Sequence, residues 1–214
     1  MHPTIYSRFD QLVRQYAPPG NKILEIGATE NVSETLLTLF RNISKSYDCV
    51  GINMEVRPVD NLPYTLIQCN ANNMNILDDE SFDAVVCNAV LEHDKFFWKT
   101  LAEVRRVLRP GGLFYVGVPG FSKQNNLIQR IMLKVMHSRF LRSLPLLYPF
   151  ARWTMFTRLA FTSTLMFHGA PYDFYRFSEE AVREVFLEGL VVLHLEYILE
   201  PVRIIGIGRK PDED

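Results

Sequence analysis

Short apolar runs alternate with helix-spaced apolar positions along most of the chain. Residues 5–16 have the spacing of an amphipathic helix, which Pro18-Pro19-Gly20 ends. Lys22–Ile26 (KILEI) is short and apolar enough for a buried strand. Asn31–Ile43 follows as a helix, with Val32, Leu36, Leu37, Phe40 and Ile43 on one face and Asn31 placed to cap it. Cys49–Ile52 and Tyr64–Cys69 give strands two and three, and Phe82–Cys87 (FDAVVC) gives strand four. Phe96–Leu108 has helical spacing and stops at Pro110-Gly111-Gly112, ahead of strand five at Leu113–Val118. A helix at Ser178–Glu188, a strand near Leu190–Tyr197 and a last strand at Val202–Gly208 complete the pattern. Alternating strands and helices over this length predict an α/β fold: a doubly wound, Rossmann-like, seven-stranded sheet. It is mainly parallel, with one antiparallel strand where the chain closes at Glu200-Pro201, plus a helical insert. In such a sheet, ligands sit beyond the carboxyl ends of the strands, so the loops after Ile26, Ile52, Cys69 and Cys87 are the ones to inspect.

Composition narrows the class. With 214 residues, 48% hydrophobic and 22% charged, the chain suits one globular domain, and the insert spans about residues 121–168. The 23 basic and 24 acidic residues nearly cancel, which gives no global nucleic-acid signature. Three cysteines without a CxxC pair fit a reduced, cytoplasmic chain. No metal-ligand spacing occurs. There is neither a signal-peptide h-region nor an apolar stretch of the roughly 18 residues that a membrane span needs.

Charge is nevertheless unevenly placed. Between Glu103 and Asp173 there are ten basic residues and no acid. Phe121–His168 holds 25 apolar residues among 48, with seven basic ones. Lys123, Arg130 and Lys134 recur there at helical spacing beside Leu127, Ile128, Ile131 and Val135. Two readings of this insert stand. One is a basic, apolar lid on an anionic membrane surface or over a lipid-like substrate. The other is a lid packed on its own domain or against a second subunit of a homodimer.

One stretch is far more specific than any single glycine. From Ser81 the chain reads SFDAVVCNAVLEHDKFFWKTLAEVRRVLRPGGLFYVGVP. With Lys22–Gly27 and the later PYDFYRFS (Pro171–Ser178), it resembles the motif-bearing parts of the class I S-adenosyl-L-methionine (SAM)-dependent methyltransferases. The likeness is strongest to the small-molecule group that contains the ubiquinone-biosynthesis type, and it covers roughly residues 20–120 and 168–210.

The resemblance implies a SAM site and a small-molecule acceptor. Gly27, Ala28 and Thr29 would approach the methionine part, with Glu25 near its ammonium. Asn53 would meet the ribose, and Asn70 and Ala71 the adenine. Asn88, Leu91 and Glu92 would line the methyl end. On the acceptor side stand His93, His168, Tyr172, Asp173 and Tyr175. Histidine suits proton removal near neutral pH, although His93 also reads as a residue that merely orders its loop. Asp173 reads equally as the partner of Arg176 in a structural corner. His2 reads as a surface or packing residue.

The chain departs from the family pattern in three places. Gly-x-Gly-x-Gly becomes Gly27-Ala28-Thr29-Glu30-Asn31, and the two customary carboxylates are amides, Asn53 and Asn70. Glu55 is placed to stand in for the first of them. If Asn53 meets the ribose diol, an aspartate there should tighten binding by about 1 kcal/mol, because the bond becomes charge-assisted. These departures keep a rival open: a non-catalytic, methyltransferase-like binding protein with a weakened or lost SAM site. A nicotinamide oxidoreductase fits worse, since the chain has neither GxGxxG nor an acid at position 53.

Overall fold

A computed structural model describes residues 2–121, 172–199 and 201–212. The chain divides into two units, residues 1–120 with 170–214, and residues 121–169; the first carries the sheet. His168, the basic lid and its membrane or dimer readings lie outside the described residues.

Seven strands form one sheet in the order β3-β2-β1-β4-β5-β7-β6. They are β1 (Lys22–Ile26), β2 (Asp48–Asn53), β3 (Thr65–Gln68), β4 (Phe82–Asn88), β5 (Leu108–Pro119), β6 (Val191–Leu199) and β7 (Val202–Arg209). The first five run parallel. β7 runs antiparallel to both β5 and β6, which makes it the one reversed strand that the sequence pattern implies. Strand order reverses between β1 and β4, so a crevice opens beyond their carboxyl ends.

Both faces of the sheet are covered, and β4 is therefore apolar on both faces apart from Asp83 and Asn88 near its two ends. On one side α1 (Pro3–Gln15) and α2 (Leu37–Ile43) bring Ile5, Phe9, Leu12 and Phe40 onto Ile23, Ala84, Val86 and Tyr115. On the other, α3 (Phe97–Val107) and the segment around Phe177 and Phe186 cover Leu24, Val85, Cys87 and Phe114.

Three boundaries differ from the sequence pattern, each for a physical reason. α2 begins at Leu37 rather than Asn31. Asn31 Oδ1 instead accepts from Ser33 N at 3.1 Å, closing a local turn that precedes the helix. β5 begins at Leu108 rather than Leu113. The glycines of Pro110-Gly111-Gly112 do not end pairing, because Gly111 N donates to Lys210 O and Lys210 N to Gly112 O, both at 2.9 Å. The helix after Ser178 runs only over α4 (Glu179–Ala181) before a π turn at Val182–Phe186, whose Leu187 N reaches back to Val182 O at 3.0 Å.

Among the described residues no helix is long and apolar enough to cross a membrane. No group of three metal-binding side chains occurs there either. Cys49, Cys69 and Cys87 are buried and free, and burial raises all three thiols, Cys49 to about 11. None is a ready nucleophile.

Candidate active site

The loop after β1 is tightly held. Gly27 has φ +82°, which only glycine adopts without strain, and a Cβ there would drive into the Val90 side chain. Gly27 N and Ala28 N both donate to Ile52 O, at 2.8 and 3.2 Å. Asn53 Nδ2 donates to Ala28 O at 2.9 Å, and Asn53 Oδ1 accepts from Met54 N at 2.8 Å. Tyr64 contributes its hydroxyl to Thr29 O at 2.7 Å. Asn53 is therefore a brace between the β1 and β2 loops, with both of its polar atoms engaged inside the protein.

Glu25 is engaged as well, away from the site the resemblance implies for it. Its buried carboxylate accepts from Leu36 N, Leu37 N and the Thr35 hydroxyl, so it caps α2 from the neighbouring strand. Burial outweighs these hydrogen bonds and pushes its pKa up to about 7.

At the exit of β4 the backbone bends sharply. Ala89 has φ +57°, a conformation costing roughly 1–2 kcal/mol for an L-residue, and strain of this kind gathers at ligand sites. Asn88, just before it, has a buried Oδ1 with no hydrogen-bond partner among the described residues. Two adjoining cavities open here. One, of about 230 Å³, is lined by Gly27, Asn88, Ala89, Val90 and Arg203, with His2 from the start of α1. The other, of about 490 Å³, is lined by Asn53, Glu55 and Arg57, and Thr29 and Glu34 border both.

The remaining expected cofactor residues divide. Ala28 and Leu91 are fully buried in the core. Asn70 closes a turn with Asn72 N at 2.9 Å, and Ala71 packs on the core; neither lines these two cavities. Glu92 is fully buried beside Arg203, with Oε1 at 3.4 Å from the guanidinium.

On the acceptor side, the described residues do converge. Phe174 N donates to Glu92 O at 2.8 Å, pinning the 172–175 segment to the loop after β4. That brings His93 Nδ1 to 3.3 Å from Tyr172 O. Tyr172 is 72% exposed and stacks on Phe174. Tyr175 donates its hydroxyl to Lys95 O at 3.0 Å. Asp173 grips Arg176, with Oδ2 at 2.6 Å from the guanidinium, as in the structural-corner alternative.

Several cavity residues escape the sequence reading, Glu34, Arg57, His2 and Arg203 among them. His2, read as surface or packing, caps α1 through its ring nitrogen and borders the smaller cavity. Arg203 does carry a signal: it is the one charge between Val202 and Gly208, in a strand otherwise apolar. A charge there must be buried or turned toward a ligand.

A methyltransferase-domain family matches residues 24–116. A protein of a Streptomyces fradiae transposon, itself uncharacterised, is 33% identical over 110 residues, which are 48% of this chain and 31% of that protein. The chain thus spans about a third of that relative. Among solved structures, a SAM-dependent methyltransferase of Methanosarcina mazei superposes with a TM-score of 0.59 at 16% identity, covering 100% of this chain and 99% of the other. The 1,6-didemethyltoxoflavin-N1-methyltransferase of Burkholderia thailandensis, solved with S-adenosylhomocysteine, superposes at 0.57 and 14% identity over 97% and 78%. Residues 24–116 thus match a methyltransferase-domain family, and the chain has a fold that it shares with SAM-dependent methyltransferases of known structure.

Proposed function

We propose that this protein transfers the methyl group of SAM to a small-molecule acceptor that is apolar or anionic. The observation that carries the reading is one cavity wall. Gly27, where any Cβ would collide, and Asn88, whose buried oxygen has no partner among the described residues, face the same space. A buried acceptor without a donor costs roughly 1–3 kcal/mol, and the methionine ammonium of the cofactor is a donor of the kind it lacks. Gly27 and Asn88 would hold the methionine part, and Glu34 or Glu55 would offer carboxylates to hydroxyl groups in the larger cavity. The residues present fit the cofactor, although by a different polar set from the usual one.

Bound there, SAM supplies a methyl on a sulfonium, which needs no further activation. The chain's own part is to orient the acceptor and take its proton. His93 is suited to the second task. It stands in the loop after β4, held beside the 172–175 segment. Tyr172 and Phe174 offer exposed ring faces for an apolar acceptor. The Burkholderia neighbour is a 1,6-didemethyltoxoflavin-N1-methyltransferase with 1,6-didemethyltoxoflavin bound, which supports the small-molecule class.

A second reading, a ligand-binding protein without turnover, draws on Asn53 and Glu25, whose polar atoms are engaged inside the protein. Calorimetry with S-adenosylhomocysteine tests the first step. Wild type should bind saturably, and a folded Gly27→Leu variant should not. Absence of binding to wild type overturns the proposal. Binding without label transfer from methyl-labelled SAM, across apolar and carboxylate acceptors, favours the second reading.

A further inference from the structure

We propose that Arg203 recognises the acceptor, receiving a carboxylate of that molecule in the smaller cavity. This rests on the methyl-transfer reading and names the acceptor as a monoanion.

Arg203 is placed and equipped for an anion it does not yet have. It is the second residue of β7, where it pairs in register with Pro119 of β5, and its side chain is only 12% exposed. A guanidinium presents five N–H donors. Among the described residues, this one has a single hydrogen-bond partner, Glu92 Oε1 at 3.4 Å. That exceeds the roughly 2.7–2.9 Å of a well-formed charge-assisted bond.

Other arginines of the chain show what a satisfied one looks like. Arg8 closes on both oxygens of Glu196 at 2.6 and 2.7 Å. Arg176 grips both oxygens of Asp173. Burial lowers the pKa of Arg203, and Glu92 only partly restores it. The remaining donors belong to a residue that lines the same cavity as Asn88.

The chemistry selects the ligand. A planar fork matches a planar carboxylate. Glu34 on the cavity wall and Glu92 behind the guanidinium disfavour a dianion such as a phosphate monoester. β7 stands three strands from β1 in the sheet order, roughly 14 Å across at the usual strand spacing. Arg203 thus lines the cavity from a different part of the sheet than the Gly27 loop, and its wall is the one left for the acceptor.

The test uses benzoate and octanoate, each against its amide, with and without saturating S-adenosylhomocysteine. At least one acid should raise the melting temperature of the wild-type protein while its amide does not. Arg203→Lys keeps the charge beside Glu92 but loses the fork. It should weaken the acid by about tenfold or more while the affinity for S-adenosylhomocysteine stays within about twofold. The double variant Glu92→Gln/Arg203→Gln, which leaves no unpaired buried charge, should abolish the preference for acid over amide. Amides that bind as well as acids overturn the proposal, as does an acid affinity that Arg203→Lys leaves unchanged. A parallel loss of S-adenosylhomocysteine assigns Arg203 to the cofactor and also overturns it. If wild type binds acids but no S-adenosylhomocysteine, the methyl-transfer reading fails and the anion site stands.

Discussion

At the end of the sheet where β4 and β5 begin, Arg106 donates to Glu103, to Asp79 and to the carbonyls of Met74 and Leu77. Close by, Arg109 bonds Asp83 and Glu80 O, while Lys210 bonds Glu80 and Leu108 O. At the opposite end, among the described residues, Asn88 Oδ1 has no partner and Arg203 has one long contact, while Ala89 is held at positive φ. The cations named at the first end are each held by several partners, whereas Asn88 and Arg203 at the second are not, although Asn53 beside them is fully engaged. Polar groups that meet partners within the chain serve the fold. Those left wanting at a cavity, beside a strained backbone, mark where a ligand completes the structure.

The largest effect that would break this contrast lies at the satisfied end. Arg106→Met strips Glu103, half-buried, of its guanidinium and leaves two carbonyls unbonded. Charge-assisted bonds contribute roughly 1.5–3 kcal/mol each, so the loss should reach about 4 kcal/mol in urea unfolding. The fraction still folded should bind S-adenosylhomocysteine as wild type does. A loss below about 1 kcal/mol would mean the Arg106 cluster is merely a solvated surface.

Glu25 sharpens the contrast next, because it stands near the site yet serves the fold. Its pKa is raised by burial to about 7, so the folded protein keeps a proton that the unfolded chain releases near pH 4.5. Stability from this group is full below that value and is lost as pH rises through about 7, by up to about 3 kcal/mol. Glu25→Gln removes the titration and still offers an oxygen to Leu36 N and Leu37 N. Unfolding measured from pH 4.5 to 8 should lose less stability in the variant than in wild type. Parallel curves would show that Glu25 keeps an ordinary pKa in the fold.

The same residue shows where the sequence stops being legible. β1, β4 and the reversed C-terminal strand follow from apolar runs and turn residues, because a strand buried on both faces has to be mostly apolar, with Glu25 and Asp83 as paired exceptions. The start of α2 does not follow. Its cap is a carboxylate eleven or twelve residues earlier, on another element, and no local pattern encodes that contact. The site was half legible for a similar reason. Gly27 and Asn88 are found from the strand ends and the family resemblance. The role of Asn53 depends on which carbonyl its amide meets, and that carbonyl, Ala28 O, belongs to a different loop.

Asn53 carries the next smaller effect, and its sign is the reverse of what the sequence implies. An aspartate there has no donor for Ala28 O and sets a carboxylate against that carbonyl. Asn53→Asp should therefore cost roughly 1–3 kcal/mol in stability. It should also weaken S-adenosylhomocysteine binding, because the loop that carries Gly27 loses its brace. Tighter binding in calorimetry would restore the ribose role and put the observed brace in doubt.

The smallest effect on stability should come from Asn88, and it separates the two ends most cleanly. Leucine has nearly the same branching as asparagine, so Asn88→Leu preserves the packing over Gly117 while removing an oxygen that has no partner. Deleting an unsatisfied buried acceptor costs the fold almost nothing and can stabilise it, whereas deleting Arg106 leaves its partners stranded. The melting temperature should stay level or rise. Affinity for S-adenosylhomocysteine should fall by about tenfold, one hydrogen bond to a charged donor being roughly 1.5–3 kcal/mol. A variant that melts lower while binding normally would show that Asn88 works for the fold after all, and the two ends of the sheet would then differ only in chemistry, not in purpose.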